Sequence, residues 1–360
     1  MRIAVDARPL AQPTTGIGRY TILLLARLAD DHALYLYGVP GQASLPFPVA
    51  ARRAITGRGQ VVSTFQSQLQ FGRWAQLNRA DVFFSPRHHL PRRLGRVPAV
   101  VTVHDLVWRE SADSMHAGRR LTEAMLMPSA LRRAARIIAV STATAEAIAR
   151  HYPAVEAKVC VIPEAATLSP NAPGSSTARS PQVPYMLFVG TFEPRKNLAR
   201  VLDAYEALRA RGVTSHRLVI AGNPGWKDAA LQRRIAEPSA GVEVRGFVDD
   251  EVLGTLYAGA DFVVTPSIYE GFGLVVADAL IFGKPVITSN VSSMPEVAGD
   301  AAILVDPLDV NDMVRAMTAL ISDRELHARL CNKARQRSST YSWDATAAQT
   351  LGVLQEAAAR

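Results

Sequence analysis

The sequence lacks any apolar run of about 18 residues, the length that a membrane-spanning helix requires. We therefore predict no membrane-spanning helix. Asp6 and Arg8 interrupt the apolar residues of positions 1–9, so we expect a first strand here rather than a signal peptide. Cysteine is scarce: Cys160 and Cys331 lie far apart, match no metal-ligand spacing, and are interpreted as reduced thiols of a cytosolic protein. What remains is a chain of 360 residues with 48% apolar content, which is enough for two globular domains.

Acidic residues are few in the first half of the chain. Residues 1–168 hold 21 Lys and Arg against 11 Asp and Glu, a formal charge of +10, whereas the remainder holds 19 against 21, a formal −2. Three interpretations of the basic half remain open: a solvated surface, a face that meets anionic lipid, and a nucleic-acid surface. No nucleic-acid-binding motif and no interleaving of aromatic with basic residues supports the third interpretation.

Two similar α/β halves are predicted on either side of a segment that is unable to form a core. Residues 169–184 are rich in Pro, Ser and Gly and are typical of an exposed linker. The first half opens with a strand, a glycine turn and a helix, a Rossmann-like start that lacks the third glycine of a dinucleotide site. Gly16 in this turn either allows a sugar or phosphate to approach or serves packing alone.

The strongest chemical signal lies in residues 261–289. A β-branched strand leads into the loop E-G-F-G at 270–273, and a helix follows. The two glycines let the backbone approach a ligand, and the unpaired N–H groups at a helix start suit a phosphate. Glu270 and Asp278 place carboxylates about two turns apart on nearly the same side. This layout suits a ligand with hydroxyl-bearing groups at both ends of a phosphate, as in a nucleotide sugar.

A second loop supplies cations. The predicted strand 185–189 is followed by G-T-F-E-P-R-K-N at 190–197 and then by a helix. Lys196 lies near that helix start and is a natural partner for a diphosphate, to which Arg195 adds a planar guanidinium. The alternative is an exposed basic pair without function.

Histidines raise two further questions. The β-branched strand 99–103 ends at His104, and ligands of open α/β sheets bind beyond the carboxyl ends of strands, so His104 suits a site. The alternative is a structural histidine bonded to backbone. Adjacent His88 and His89 are expected to point in different directions, which argues against a two-histidine metal site.

Together these motifs resemble the retaining glycosyltransferases of family 4, which have the GT-B fold. Residues 270–278 resemble the E-x7-E signature of that family, with Asp278 in place of the second glutamate. The other matching segments, in the expected order along the chain, are M-R-I-A-V-D-A-R-P-L and G-I-G-R-Y near the start, V-H-D-L at 103–106, and G-T-F-E-P-R-K-N-L at 190–198.

The resemblance implies two Rossmann-like α/β domains that face each other across a cleft. We expect an acceptor-side domain over residues 1–168, a linker over 169–184 and a nucleotide-sugar-binding domain over 185–340. A helix within residues 341–360 is expected to cross back to the first domain.

The resemblance also implies roles for individual residues. His104 is expected to contact the transferred sugar, Glu270 to hold hexose hydroxyls and Lys196 to bind the leaving diphosphate; these three are the predicted catalytic residues. Val248 is expected beside the nucleotide base and Asp278 on the ribose. The predicted donor-binding residues are Gly16, Arg195, Lys196, Val248, Glu270, Gly271, Phe272, Gly273, Leu274 and Asp278.

No D-x-D triplet occurs in the chain, so the usual ligand of a metal-bound diphosphate is missing. We therefore expect no metal and no other cofactor, because Lys196, Arg195 and a helix dipole replace the cation. Asp249 and Asp250 are interpreted as the start of a helix and not as metal ligands.

The resemblance is strongest to enzymes that move mannose or D-rhamnose from GDP-sugars onto bacterial cell-surface polysaccharides such as O-antigen. We therefore expect a hexosyltransferase with a nucleotide sugar as donor and a lipid-linked saccharide as acceptor. It is expected to be cytoplasmic and peripheral on the inner, anionic face of the plasma membrane, without nucleic-acid partners. The alternatives are a UDP-sugar-dependent member of the family, a phosphorylase or epimerase of the same fold, and a non-catalytic nucleotide-sugar-binding partner in a polysaccharide complex.

Overall fold

A computed structural model describes residues 1–39, 44–55, 59–170, 183–225 and 229–360. The chain divides into two compact units. Unit 1 comprises Met1–Trp108, His116–Ala165 and Tyr341–Arg360, and unit 2 comprises Arg109–Met115 and Ala166–Thr340. Most of the predicted linker, residues 171–182, lies outside the described residues.

Unit 1 is built on a seven-stranded sheet in which every strand is parallel, in the order β3-β2-β1-β4-β5-β6-β7. The central strands are continuous runs of buried residues, which is typical of a parallel sheet covered on both faces. The strand order reverses between β1 and β4, so a crevice is expected beyond the carboxyl ends of these two strands. The strands are β1 (Arg2–Asp6), β2 (Ala33–Tyr37), β3 (Ala51–Arg53), β4 (Val82–Ser85), β5 (Ala99–Val103), β6 (Arg136–Ala139) and β7 (Val159–Val161).

The helices of the first half include one that the sequence analysis did not assign. A loop is predicted over residues 45–60, but the structure forms β3 within it and begins α2 at its end. The first five helices are α1 (Gly16–Leu28), α2 (Gln60–Leu77), α3 (Val107–Glu110), α4 (Ala117–Arg133) and α5 (Thr142–His151).

Unit 2 contains a six-stranded parallel sheet in the order β10-β9-β8-β11-β12-β13, with the reversal between β8 and β11. The strands are β8 (Tyr185–Val189), β9 (Arg217–Ala221), β10 (Val242–Gly246), β11 (Phe262–Thr265), β12 (Val286–Ser289) and β13 (Ala302–Val305). The helices are α6 (Leu198–Ala210), α7 (Ala229–Ala236), α8 (Asp250–Gly259), α9 (Leu274–Ile281), α10 (Met294–Ala298), α11 (Val310–Ser322) and α12 (Arg324–Ser338).

Helices α11 and α12 follow each other with a single residue, Asp323, between them. Asp323 has non-helical φ and ψ angles, and its side chain accepts a hydrogen bond from Leu326 N at 2.8 Å. This N-cap ends α11 and begins α12, because the side-chain oxygen satisfies an N–H group that the new helix leaves unpaired.

The last helix, α13 (Trp343–Ala358), belongs to unit 1. Trp343 and Leu354 are buried in the same core as Ile3 and Tyr20, and the Tyr20 and Trp343 rings meet edge to face with centroids 5.8 Å apart. Thr346 donates a hydrogen bond to a carbonyl of the segment after β7. The core of unit 1 is thus completed by the end of the chain.

Within the described ranges, no helix is both long and apolar enough to cross a membrane.

Candidate active site

Loops at the carboxyl edge of the unit 2 sheet are held together through their backbones. Gly190 N donates to Ala221 O at 3.0 Å, and a Cβ on Gly222 would lie only 2.0 Å from Gly190 O. Ile268 N, in the loop after β11, donates to Arg195 O at 2.8 Å. The loops after β8, β9 and β11 therefore form one unit, and only glycine fits at position 222.

A cluster of charged side chains lies on these loops. Glu270 accepts from Lys196 Nζ at 2.5 Å, from Arg195 Nη1 at 2.8 Å and from Ser267 Oγ at 2.8 Å. Arg195 also pairs through Nε with Glu193 Oε2 at 3.0 Å. The structure thus brings Lys196, Arg195 and Glu270, which lie about 75 residues apart in sequence, into direct contact.

Charge pairing determines the ionisation of this cluster. Burial raises the pKa of Glu270, but the charges of Lys196 and Arg195 and their hydrogen bonds outweigh it and bring the pKa to about 2. Burial lowers the pKa of Lys196, against the opposing effect of Glu270. Glu270 is therefore a carboxylate at neutral pH and cannot act there as a proton donor.

Asn197 holds in place the loop that carries Arg195 and Lys196. No role was predicted for it. Its backbone is left-handed, with φ of 66°, and its buried side-chain amide donates to Pro266 O at 3.0 Å and to Pro307 O at 2.6 Å. Asparagine is one of the few residue types that tolerate this conformation. An asparagine directly after the R-K pair, before a helix, was the available signal.

The N-terminus of α9 is formed by the second predicted loop. Gly273 has φ of 106° and precedes Leu274, the first helical residue, so the first N–H groups of α9 have no intrahelical acceptors. Glu270 N donates to Ser292 Oγ at 3.0 Å, and Ser293 Oγ donates to Phe272 O at 2.8 Å. The Phe272 side chain is buried, so it helps to fix the loop and is not exposed to a ligand.

Asp278 is buried on α9, and the sequence analysis did not anticipate its partners. Its Oδ1 accepts from Thr167 N at 2.6 Å and from Leu168 N at 3.2 Å, and its Oδ2 accepts from Thr167 Oγ1 at 3.0 Å. These contacts fix the segment that leads into unit 2. The ribose contact expected of Asp278 stays a prediction.

His104 lies directly after β5 in unit 1 and is buried. Its Nδ1 lies 2.7 Å from Glu164 Oε1, its Nε2 lies 2.9 Å from Pro86 O, and Tyr20 packs edge-on against the ring at 4.7 Å. Burial lowers the pKa of His104, but the bond and charge of Glu164 outweigh burial and raise it overall. A protonated ring donates to both oxygens. The sugar contact of His104 stays a prediction. The two hydrogen bonds present here are those expected of a structural histidine, the alternative interpretation of this residue.

Two further predicted residues lie at element ends. Gly16 is the first residue of α1, whose N-cap Thr15 accepts from Gly18 N at 3.2 Å. Val248 is half-buried in the turn between β10 and α8. Asp249 caps α8 by accepting from Val252 N at 2.9 Å, as the sequence predicts.

The expectation that His88 and His89 point apart is wrong. Both Nε2 atoms reach the same oxygen of Glu123, at 2.5 and 2.8 Å, and all three side chains are buried. The two residues follow β4 in irregular backbone, where neighbouring side chains need not alternate. In the part of the chain that is described, this trio has its ligand atoms within 4.8 Å of one another, as a metal site would require.

Two sequence-family models match this chain in succession. Residues 14–170 match the model described as Glycosyltransferase Family 4, and residues 175–337 match Glycosyl transferases group 1. The chain is 30% identical to the O-antigen chain mannosyltransferase B of Escherichia coli over 98% of each protein.

Solved structures share the whole fold. Sucrose-phosphate synthase from Thermosynechococcus elongatus superposes with a TM-score of 0.78 at 21% identity, covering 99% of this chain and 98% of that one. Anabaena HepE, in a complex with UDP and glucose, superposes with a TM-score of 0.75 at 18% identity, covering 99% and 100%. The two parallel-sheet, Rossmann-like units are those of the GT-B class.

The chain belongs to glycosyltransferase family 4, and its activity is that of a hexosyltransferase.

Proposed function

We propose that this enzyme transfers mannose or D-rhamnose from a GDP-sugar to a lipid-linked saccharide, with retention of the anomeric configuration, during synthesis of a bacterial cell-surface polysaccharide. The observation that carries the proposal is the contact of Lys196 and Arg195 with Glu270 beside the N-terminus of α9. The choice of sugar and of polysaccharide is supported by the similarity to the O-antigen mannosyltransferase of Escherichia coli along the full chain.

The charge cluster suits the departure of a nucleoside diphosphate. As the bond between the sugar and the diphosphate breaks, negative charge grows on the leaving oxygen, where Lys196, Arg195 and the first N–H groups of α9 stabilise it. The sugar then carries oxocarbenium character. The acceptor hydroxyl attacks from the face that the diphosphate leaves and passes its proton to an oxygen of the departing diphosphate. Glu270 has two tasks: it keeps Lys196 charged and in position, and its remaining lone pairs accept sugar hydroxyls.

We propose that neither a metal ion nor another cofactor is needed for this step. Two cations are already fixed at the carboxyl edge of the sheet, and each is paired with a carboxylate, Glu270 or Glu193. A diphosphate therefore competes with these carboxylates for the same hydrogen-bond donors. His104 is proposed to contact the transferred sugar, and Val248 to lie beside the base.

The enzyme is proposed to be cytoplasmic, to act at the inner face of the plasma membrane and to bind no nucleic acid. Two helices of unit 1 expose apolar side chains: Phe65 and Leu69 on α2 are 65% and 57% exposed, and Leu121 and Met125 on α4 are 60% and 62% exposed. Apolar side chains that project among cations suit an anionic lipid surface.

Both helices contact the same short segment, residues 90–94. Arg92 N donates to Gln68 O of α2 at 3.1 Å, and Arg133 of α4 donates to Pro91 O at 2.6 Å. Exposed arginines lie on α4 and in or next to this segment. We call this surface the α2–α4 face, and its members are Phe65, Leu69, Arg92, Arg93, Arg96, Arg119, Arg120, Leu121, Met125 and Arg132.

Ligand-dependent thermal unfolding tests the donor. The protein is titrated with GDP, UDP, ADP and their mannose and glucose conjugates, with and without EDTA. A ligand at a hundred times its dissociation constant adds about 2.7 kcal/mol to the free energy of unfolding. We expect GDP and GDP-mannose to stabilise selectively and EDTA to have no effect.

Each other outcome has a distinct meaning. Selective stabilisation by UDP compounds would replace the donor, and the HepE structure with UDP and glucose is the specific observation that favours this second candidate. Loss of stabilisation in EDTA would contradict the metal-free step. No response to any nucleotide would favour a non-catalytic partner in a polysaccharide complex. Release of GDP without an acceptor would favour a phosphorylase or epimerase of the same fold.

A further inference from the structure

Unpartnered polar atoms are concentrated directly after β4. Among the described residues, ten buried side-chain polar atoms have no hydrogen-bond partner, and four of them lie within residues 85–89. They are Ser85 Oγ, Arg87 Nε, His88 Nδ1 and His89 Nδ1. Buried polar groups of native proteins are almost always satisfied, so this concentration calls for a ligand.

The position of this segment is that of a binding site. It follows the carboxyl end of β4, which neighbours β1 where the strand order of the unit 1 sheet reverses. Ligands of open α/β sheets bind at such reversal points, beyond the carboxyl ends of the strands. The corresponding reversal in unit 2, between β8 and β11, carries the Lys196–Glu270 cluster.

The local charges leave one cation in excess. Arg8 is tied to Asp6 by two hydrogen bonds, at 2.8 and 2.5 Å, so these charges cancel. The other charged groups that act on Arg87 are Glu123 and Arg119, which have opposite signs. One oxygen of Glu123 is hydrogen-bonded to both His88 and His89. Counted together, the cations Arg87, Arg8 and Arg119 outnumber the carboxylates Asp6 and Glu123 by one, so the group carries one excess positive charge.

The donors and acceptors also define the chemistry of the ligand. Arg87 offers a planar guanidinium and Ser85 a hydroxyl, both of which donate to an oxyanion. When the histidine Nε2–H groups donate to Glu123, the two Nδ1 atoms are acceptors, which suit hydroxyl groups. Burial and the nearby Arg87 lower the pKa of His89 to about 3, so this ring is neutral at neutral pH.

We infer that the segment of residues 85–89 binds the phosphate-bearing end of the acceptor saccharide, with Arg87 on the phosphate and the histidine Nδ1 atoms toward sugar hydroxyls. The inference rests on the proposed function and deepens it, because it makes the acceptor a saccharide carried on a phosphate or diphosphate. Arg87 is then a residue that determines acceptor specificity and takes no part in donor binding.

A matched pair of acceptors tests the inference. The same saccharide is attached either to a short-chain polyprenyl diphosphate or to an uncharged octyl group, and kcat/KM is measured for both. We expect Arg87→Gln to lower kcat/KM about ten- to hundredfold for the diphosphate acceptor, as for loss of a charged hydrogen bond, with the octyl acceptor and the KM of the GDP-sugar unchanged. Arg150→Gln, which removes an exposed charge from α5 of the same unit, is the control.

Equal losses on both acceptors would make Arg87 a structural residue, and no loss on either would remove it from the site; both results overturn the inference. Thermal unfolding of each variant identifies a loss that is due to misfolding, and Arg87→Met, which removes the charge but keeps a long side chain, then replaces Arg87→Gln.

A binding measurement keeps the inference testable if no transfer is seen with any donor, which would be a failure of the proposed function. Inorganic pyrophosphate is titrated calorimetrically into Lys196→Ala protein, in which the donor cations are weakened. Binding that Arg87→Gln abolishes supports an anion site after β4, and binding that is absent or unchanged overturns it.

Discussion

Lys196 and Glu270 form an ion pair, and each side chain depends on the other. Removing Lys196 takes away a cation from the leaving group and leaves Glu270 with Arg195 as its remaining cation. We predict that Lys196→Met lowers kcat by about 10²–10³-fold, similar to the loss of one preorganised oxyanion donor. Steady-state kinetics with saturating donor and acceptor measure the effect, and Lys333→Met on α12 is the control.

A double variant tests whether the pair acts as a unit. If Glu270 serves partly to hold Lys196, Lys196→Met with Glu270→Gln should lose little more activity than the more damaging single variant. Fully multiplicative losses would show that Glu270 acts on the sugar independently of Lys196. Near-normal turnover of Lys196→Met alone would end its assignment to the diphosphate.

Asn197 illustrates a residue whose importance lies in backbone support. We predict that Asn197→Ala destabilises unit 2 by about 1–3 kcal/mol, because two carbonyls lose the amide that donates to them and alanine tolerates a φ of 66° less well than asparagine. Asn197→Asp keeps the tolerated backbone but loses both donors, so it should show most of the loss. Urea unfolding measures the change, with Asn332→Asp on the exposed surface of α12 as control. Equal stability of the Asn197 and Asn332 variants would refute the role.

Individual residue types and their spacing predicted the cations, the glycine loop and the two acidic positions, because these depend on local chain order. The sequence did not predict that Asp278 meets Thr167, which is 111 residues away. It also misjudged His88 and His89, because their orientation depends on Glu123, which only the fold of α4 brings to them. Partners across long sequence separations have no local signal.

Among the elements, the start of β11 is tied to α12 by a histidine–carboxylate pair. Asp261 accepts from His216 Nε2 at 2.9 Å and lies 3.1 Å from His327 Nε2. The hydrogen bond to Asp261 raises the pKa of His327 to about 10. Since this pKa exceeds the ordinary value of about 6.5, the protonated ring stabilises the fold fully below pH 6.5, and the contribution is lost as pH rises through 10.

We therefore predict that the difference in free energy of unfolding between the wild type and His327→Asn is largest near pH 6 and shrinks by pH 10. Urea unfolding at pH 6, 8 and 10 measures it, and His151→Asn at the end of α5 serves as the control. A difference that is independent of pH would contradict the charged state of His327.

Strands with β-branched runs, such as β5 and β11, were predictable because their burial on both faces leaves a continuous apolar signal. Helix α2 was not, because it is apolar on two sides. Phe71 and Ala75 are buried, whereas Phe65 and Leu69 are exposed, so no single stripe repeats with helical period. When a helix also has exposed apolar residues, its buried apolar stripe cannot be recognised from the sequence.

At the scale of the whole molecule, the charge imbalance between the halves makes the proposed membrane binding testable. We expect sedimentation with vesicles containing phosphatidylglycerol but not with pure phosphatidylcholine, and weaker binding at high salt because exposed charges are screened. Phe65→Ser with Leu69→Ser should reduce binding severalfold, while Val291→Ser and Leu308→Ser, exposed apolar positions of unit 2, should not. Equal binding by both double variants would remove the α2–α4 face from the proposal.

The position of α13 has a consequence for synthesis. On the ribosome, the first 165 residues emerge long before Trp343, Ala347, Leu354 and Ala357, which complete their core. Until then the apolar side of α1 against which α13 packs faces water, while the strands of the second sheet are already present in the nascent chain. Unit 1 is therefore the first to begin and the last to complete its core. A chain that is interrupted shortly before residue 341 contains all of unit 2 but lacks the helix that completes the core of unit 1.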